Sequence, residues 1–352
     1  VKETKLSDNF TVVLGTQNEG VWVSHDSGAV WLRSMLDLPP YAKAGEVDVR
    51  AVAVSPHDPR EIWAGSTGEP GRAVLLRSTD CGRNFTGVPA PLDGSEIWSI
   101  ALSVHDPSVI LLGLRPAAIL RSEDGGQSWK DLPLNAAQLC NAGSTRITDL
   151  LVDPADPDRL WASVEIDGVF HSADGGDSWR RIVLNNSRSV LGPDEVWRDD
   201  RHEDIHGVEV GGGAVCVSTP ICFSRSIDEG RTWTPSRFPE ATPGAGPIWY
   251  TRGLLVKTDD PSTILAGVGD YIPGARGVIQ RSTDGGVTWV PVSPGTNSVV
   301  YAIAGHRDIP DTMAACSIFG QVLTSIDGGA TWSRTPREFG ETRAIAISPA
   351  TG

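Results

Sequence analysis

One phrase recurs seven times along this chain: Ser, any residue, Asp, any residue, Gly, two further residues, then Trp or Phe. It stands at Ser24–Trp31, Ser78–Phe85, Ser122–Trp129 and Ser172–Trp179, and again at Ser226–Trp233, Ser282–Trp289 and Ser325–Trp332. The Asp residues of successive phrases lie 54, 44, 50, 54, 56 and 43 positions apart. A long regular period outranks local propensity, because each repeat is one supersecondary unit that buries its apolar face only against its neighbours. Each phrase sits between apolar runs, as in AVLLRSTDCGRNFTGV. A strand enters, the chain turns at Asp-x-Gly, and a strand leaves. The carboxylate can accept backbone N–H groups a few residues on, and Gly supplies the positive φ that the turn needs. The closing aromatic contributes buried area, so six of the 12 Trp residues are expected in the core and not on a ligand surface.

These phrases resemble the Asp-box, or BNR, repeat of sialidases, xyloglucan-cleaving glycosidases, sortilin-type receptors and photosystem assembly factors. The resemblance spans nearly the whole chain. It implies an all-β, seven-bladed propeller with one box between the third and fourth strands of each four-stranded antiparallel blade. The length agrees: 352 residues over seven blades is the usual size of such a blade, so residues 1–352 read as one domain. The first box has too little chain ahead of it for a full blade. TRAIAIS at the C-terminus is an unpaired inner strand. The last blade is therefore expected to close by pairing C-terminal with N-terminal strands, which removes an open edge.

The net charge of −14 argues against nucleic acid and anionic membranes as partners. No window offers 18 apolar residues, and VKETKLSDNF lacks the apolar centre of a leader peptide. Five scattered cysteines without a CxxC spacing favour a reducing compartment over a disulfide framework. The expectation is cytoplasmic, or periplasmic or secreted where a leader has been removed. Cys216 and Cys222 flank a tight turn and could face each other across a hairpin. A monomer is expected of a closed propeller, with a homodimer left open. No P-loop, dinucleotide fingerprint, G-x-S-x-G or HExxH motif occurs, so no cofactor is expected.

Function is sought at the channel mouth. Aligning the inner strands on their apolar alternation makes Arg50, Trp98, Thr148, His206, Arg252, Tyr301 and Arg343 equivalent. Two residues earlier, on the same strand face, stand Asp48, Glu96, Arg146, Asp204, Tyr250, Val299 and Glu341. Loops after the second strands add Gln17, Asn18, Glu19, Glu69, Arg72, Arg115, Glu165, Asp167, Asp270, Tyr271 and Arg276. Arg matches a carboxylate or phosphate bidentately. Arg50, Arg252 and Arg343, with Arg115, Arg276 and Trp98, are therefore candidates to bind a small anionic molecule. His206 with Asp204, or Glu165, Asp270, Tyr301 and Tyr271, are candidates to move protons. His202, Asp204 and His206 share one strand face and form a weaker candidate metal set. The alternative is an internal ring of ion pairs in which Glu96, Glu165, Asp270 and Glu341 neutralise the Arg residues.

The resemblance narrows this only in part. Sialidases hold a substrate carboxylate with three Arg residues, but they have six blades and an Arg-Ile-Pro motif that is absent here. Xyloglucanases match the blade phrasing, as in AVAVSPHDPREIWAGS. Their cleft, however, lies between two propellers, and their paired catalytic Asp residues are not carried over to this chain. The leading expectation is a hydrolase acting on a small carboxylated molecule, a glycoside or a lactone. A non-catalytic scaffold for carbohydrate or protein, with Trp197 and Trp249 as exposed aromatics, and a cofactor-free lyase or cycloisomerase remain alternatives, because this fold hosts many functions.

Overall fold

The seven phrases fold into seven nearly identical turns. In each, the Ser hydroxyl donates to the Asp carboxylate at 2.7–2.8 Å, as from Ser24 to Asp26 and from Ser325 to Asp327. The Gly N–H donates back to that hydroxyl, as from Gly126 to Ser122 at 2.8 Å. The same carboxylate accepts the N–H four residues on, as from Ser128 to Asp124 at 2.9 Å. One Ser and one Asp thereby occupy the donors that a reversing chain would leave bare. The aromatic closes the turn: the Trp31, Trp179, Trp289 and Trp332 indoles donate to the carbonyls of Gly28, Gly176, Gly286 and Gly329.

The computed structural model describes residues 9–42, 47–67, 73–140, 143–184, 203–240, 246 and 248–350, and its elements are all β-strands. They form seven antiparallel blades around a central channel. The inner strands are Thr342–Pro349, Asp48–Val54, Glu96–Leu102, Ile147–Val152, Gly207–Gly211, Tyr250–Val256 and Val300–Gly305, for blades 1 to 7 in turn. Each box lies between the third and fourth strands of its blade. Blade 1 is completed across the chain ends, with Thr342–Pro349 pairing antiparallel to Phe10–Thr16. Blade 2 carries an extra strand, Met35–Asp37, parallel to Asn84–Val88 on its outer edge. No helix among the described residues is long and apolar enough to cross a membrane.

The core is a set of interfaces between blades. Ala51, Trp63 and Leu75 of blade 2, for example, meet Ile97, Ile110 and Leu112 of blade 3. Close approach is set by small residues on the second strands. A Cβ at Gly113 would lie 2.6 Å from Ile147 Cγ2, so only Gly lets the next inner strand pack there. Arg121 reaches across to the Gly175 carbonyl in the next blade's box at 2.5 Å, and Arg281 reaches Gly328 likewise at 3.1 Å.

All five cysteines are free, and Cys216 and Cys222 do not face each other. The hairpin register sets Cys216 opposite Arg225, and Ser218 opposite Phe223. Cys222 thus lies in the turn, outside the ladder.

Candidate functional site

Each inner strand enters the channel from the same face, and there the ladder is irregular. The pairing skips Arg50, Trp98, Thr148, Arg252, Tyr301 and Arg343, one residue in each of six blades. In blade 5 the equivalent residue, His206, sits just ahead of the strand, with its N–H on the Ser218 carbonyl. A bulge leaves one residue unpaired and re-aims its side chain. Repeated around the ring, it brings seven side chains to one level. All seven line a cavity of about 220 Å3 that runs along the bore. Above it, Asp48, Arg50, Thr67, Glu96, Trp98, Arg115 and Arg146 wall a cup of about 390 Å3.

The mouth charges are arranged in pairs. Arg50 donates to Asp48 at 2.8 Å, Arg115 lies 3.5 Å from Glu96, and Arg146 and Arg343 pair with Glu165 and Glu341. Asp48–Arg50 and Glu341–Arg343 are neighbours because residues i and i+2 share a strand face. The Trp98 indole donates to Glu96 at 2.8 Å by the same spacing. The guanidinium groups of Arg50 and Arg146 lie 4.9 and 4.1 Å from the Trp98 ring centre. Tyr301 has the same escort, with Arg252 at 4.7 Å and Arg343 at 5.0 Å. Each contact is a cation held against an aromatic ring.

Arg252 is the exception to the pairing. It is buried, and its hydrogen bond among the described residues goes to the Tyr301 hydroxyl at 2.8 Å. Burial pushes the Tyr301 phenol up, but the charges of Arg252, Arg343 and Arg50 outweigh burial and bring it down to about 8. In the adjacent blade, burial raises the Tyr250 phenol.

His206 is oriented by its backbone neighbours. Nδ1 lies 2.6 Å from the Thr251 carbonyl, which can only accept, so Nδ1 carries the proton. Nε2 is left facing the Tyr250 hydroxyl and Asp204 Oδ2, both at 3.4 Å. Beside it, two carboxylates are driven apart. Burial pushes Glu165 up; Arg146 opposes this, and the Asp204 charge adds to it. Burial would raise Asp204 too, but His206, Arg252 and Arg146 hold it below the ordinary range. Glu165 Oε2 and Asp204 Oδ1 are buried without a hydrogen-bond partner among the described residues.

The other candidates lie apart from this group. Asp270 accepts the Ala275 N–H at 3.0 Å and lies 3.5 Å from Arg276, so both residues close their own loop. Tyr271 is 68% exposed at the rim, 6.2 Å between ring centres from Tyr250. Asp167 ties Arg181 at 2.8 Å and the Ala137 N–H at 2.6 Å, which is a structural task. Glu69, Arg72, Trp197 and His202 lie outside the described residues, and with His202 the full metal set. Among the described residues no group of three or more His, Cys, Asp or Glu is placed to hold a metal ion.

Two carboxylates outside the sequence candidates, Asp149 and Glu209, also line the bore. Asp149 accepts the N–H of Val208 at 3.2 Å, and burial pushes it up to about 6. Glu209 faces the same bore, and burial with the Asp149 charge raises it well above its ordinary range. The signal was a carboxylate inside an otherwise apolar inner strand, in ITDLLV and in GVEVG.

No protein-family model matches the chain. It is 25% identical over 287 residues to an oligoxyloglucan-reducing end-specific xyloglucanase of Neosartorya fischeri, whose name is qualified as probable. The match covers 80% of this chain and 31% of the relative, so the chain spans about a third of that protein. Among solved structures it superposes on the GH74 xyloglucanase from Xanthomonas campestris with a TM-score of 0.65 at 20% identity, covering 98% of this chain and 55% of that one. It also superposes on YCF48 bound to D1 peptide, with a TM-score of 0.55 at 15% identity, covering 90% and 96%. At these identities the structural likeness establishes the seven-bladed propeller fold.

Proposed function

We propose that the channel mouth is the active site of a hydrolase acting on a glycoside that carries one carboxylate. The observation that carries this reading is the Glu165 and Asp204 pair. Two carboxylates in one mouth, pushed toward opposite ionisation states, are the arrangement that general acid and base roles require. Glu165, which burial pushes toward the neutral acid against the pull of Arg146, donates to the leaving oxygen once it carries a proton. Asp204, held ionised, stabilises positive charge at the sugar or itself takes the proton of an attacking water. Arg50, Arg115 and Arg343 are each paired with a carboxylate other than Glu165, so the cup does not call for a polyanion. Arg252, bonded to a phenol, leaves one cation for one ligand carboxylate, with Tyr301 as its hydrogen-bonding neighbour. The xyloglucanase relatives support a sugar as the ligand.

The test is hydrolysis of matched aryl glycosides and aryl uronides, with the pH profile of the better substrate. The expected result is turnover of uronides over their neutral counterparts. Activity should fall at low pH as Asp204 protonates and at high pH as Glu165 ionises. A second reading is favoured by the two aromatic rings flanked by Arg residues: a scaffold that binds a carboxylate-bearing peptide, the similar YCF48 propeller having been solved with D1 peptide. It predicts carboxylate binding without turnover.

A further inference from the structure

The face opposite the mouth carries one defect in the repeat. After the inner strand, blades 2, 3, 4, 6 and 7 each make a loop of seven residues before the second strand: 55–61, 103–109, 153–159, 257–263 and 306–312. Blade 5 makes the same connection with Gly212 and Gly213 alone, at φ of 57° and 76°. Two successive positive φ values are a tight hairpin that Gly adopts without strain. Where the long loop exists, it satisfies the box below it. The N–H groups of Cys81, Gly125, Gly175, Gly285 and Gly328 donate to Arg60, Ser108, Asp158, Ser262 and Asp311. In blade 5 the equivalent residue is Glu229, and its N–H has no such acceptor among the described residues.

The short hairpin leaves a notch of about 400 Å3 between blades 4 and 6, within the size range of small-molecule sites. Its walls are largely apolar, with Val210, Val256 and Pro261 inside and Ile227 at the rim, 72% exposed. The charges around it are already paired. Arg159 lies 3.5 Å from Asp153 and 3.2 Å from Glu229, and Lys257 is paired with Asp259 and, at 3.0 Å, with Asp311. One charged lining residue, Glu209, has no hydrogen bond or ion pair among the described residues. Glu209 lines both this notch and the bore.

The geometry points to the notch as a second binding site, for an organic amine whose ammonium group pairs with Glu209 and whose apolar body fills the walls. This stands apart from the mouth and does not depend on the hydrolase reading. Glu209 is half-buried where the notch meets the bore, and an ammonium ion there would give its carboxylate a charge-assisted partner. The rim Glu229 N–H is a further donor for a polar group on the amine. Glu209 faces Asp149 from the neighbouring inner strand and stands beside Cys216 and Arg225 on its own blade. His206 lies along the same bore wall, and Asp153, Arg159, Glu229 and Lys257 lie on the notch side. Burial and Asp149 favour the neutral acid, so an arriving ammonium ion expels a proton.

Calorimetric titration with benzylamine, and with benzyl alcohol as its neutral match, tests this in two buffers of different ionisation enthalpy. The parent should bind benzylamine with proton release and bind the alcohol at least about tenfold more weakly. Glu209→Gln should lose that preference. Ala155→Phe, on an exposed loop at the rim, should block both ligands while the melting temperature is kept. Glu165→Gln should leave the titration unchanged. The proposal is overturned by equal binding of the alcohol, by unchanged amine binding in Glu209→Gln or Ala155→Phe, or by no heat up to about 10 mM amine.

Discussion

The two faces of this propeller use the same seven blades to opposite ends. On the box face seven turns repeat one hydrogen-bond pattern, so the Ser–Asp bond in blade 1 matches that in blade 7 to 0.1 Å. On the mouth face the seven equivalent positions hold Arg, Trp, Thr, His, Arg, Tyr and Arg. The backbone device is shared there too, since six of the seven are the residue skipped by a bulge. Where side chains repeat, they build the scaffold. Where the backbone repeats and the side chains diverge, the ring is free to specify a ligand. Blade 5 sharpens the contrast, because it breaks the repeat on the scaffold side and opens a notch.

The comparison is open to attack from the mouth first. Arg252→Met keeps the packing volume and removes the cation without a carboxylate partner. It should lower kcat/KM for a uronide by about 100-fold, since a charge-assisted bond and its desolvated phenol partner are lost together. The neutral glycoside should lose much less. On the box face, Gly176→Ala should destabilise by roughly 2–3 kcal/mol. Gly176 has a φ of 95°, and a Cβ there would lie 2.5 Å from Leu132 Cδ1. Urea unfolding would measure it, and activity per folded molecule should be retained.

Two smaller effects separate the faces by titration. Ultraviolet titration should find one tyrosine ionising near 8, absent in Tyr301→Phe. Arg343→Met should move it up by about one unit, as expected for one nearby charge. The box carboxylates should show at the acid end. The Ser or Thr hydroxyl four residues on, with backbone N–H groups, holds Asp124, Asp174, Asp228 and Asp284 at about 2. Their folded values lie below the unfolded ones. Their stabilisation is therefore present above the ordinary Asp range and is lost as pH falls toward 2. Melting temperature followed from pH 5 to pH 2 should fall less steeply in Asp284→Asn than in the parent.

The box face was legible in the sequence because its hydrogen bonds run between residues two to four apart, so spacing alone specifies them. The mouth ring was legible at its seven positions because each inner strand carries the same apolar alternation. The bulges that aim those side chains were not, since they depend on pairing with another strand. Where loop residues stand was not legible: Asp270 accepts an N–H of its own loop, and Tyr271 stands at the rim. Glu209 was hidden because a carboxylate in GVEVG gains meaning only when the bore and the shortened Gly212–Gly213 hairpin lie on either side of it.

The central claim is that Glu165 donates a proton in the mouth, and Glu165→Gln tests it most directly, with uronide turnover and uronide binding measured on the same preparation. The account predicts that binding is kept, kcat falls by roughly 100-fold or more, and the high-pH limb of the profile disappears. Unchanged kcat with the high-pH limb intact would contradict it.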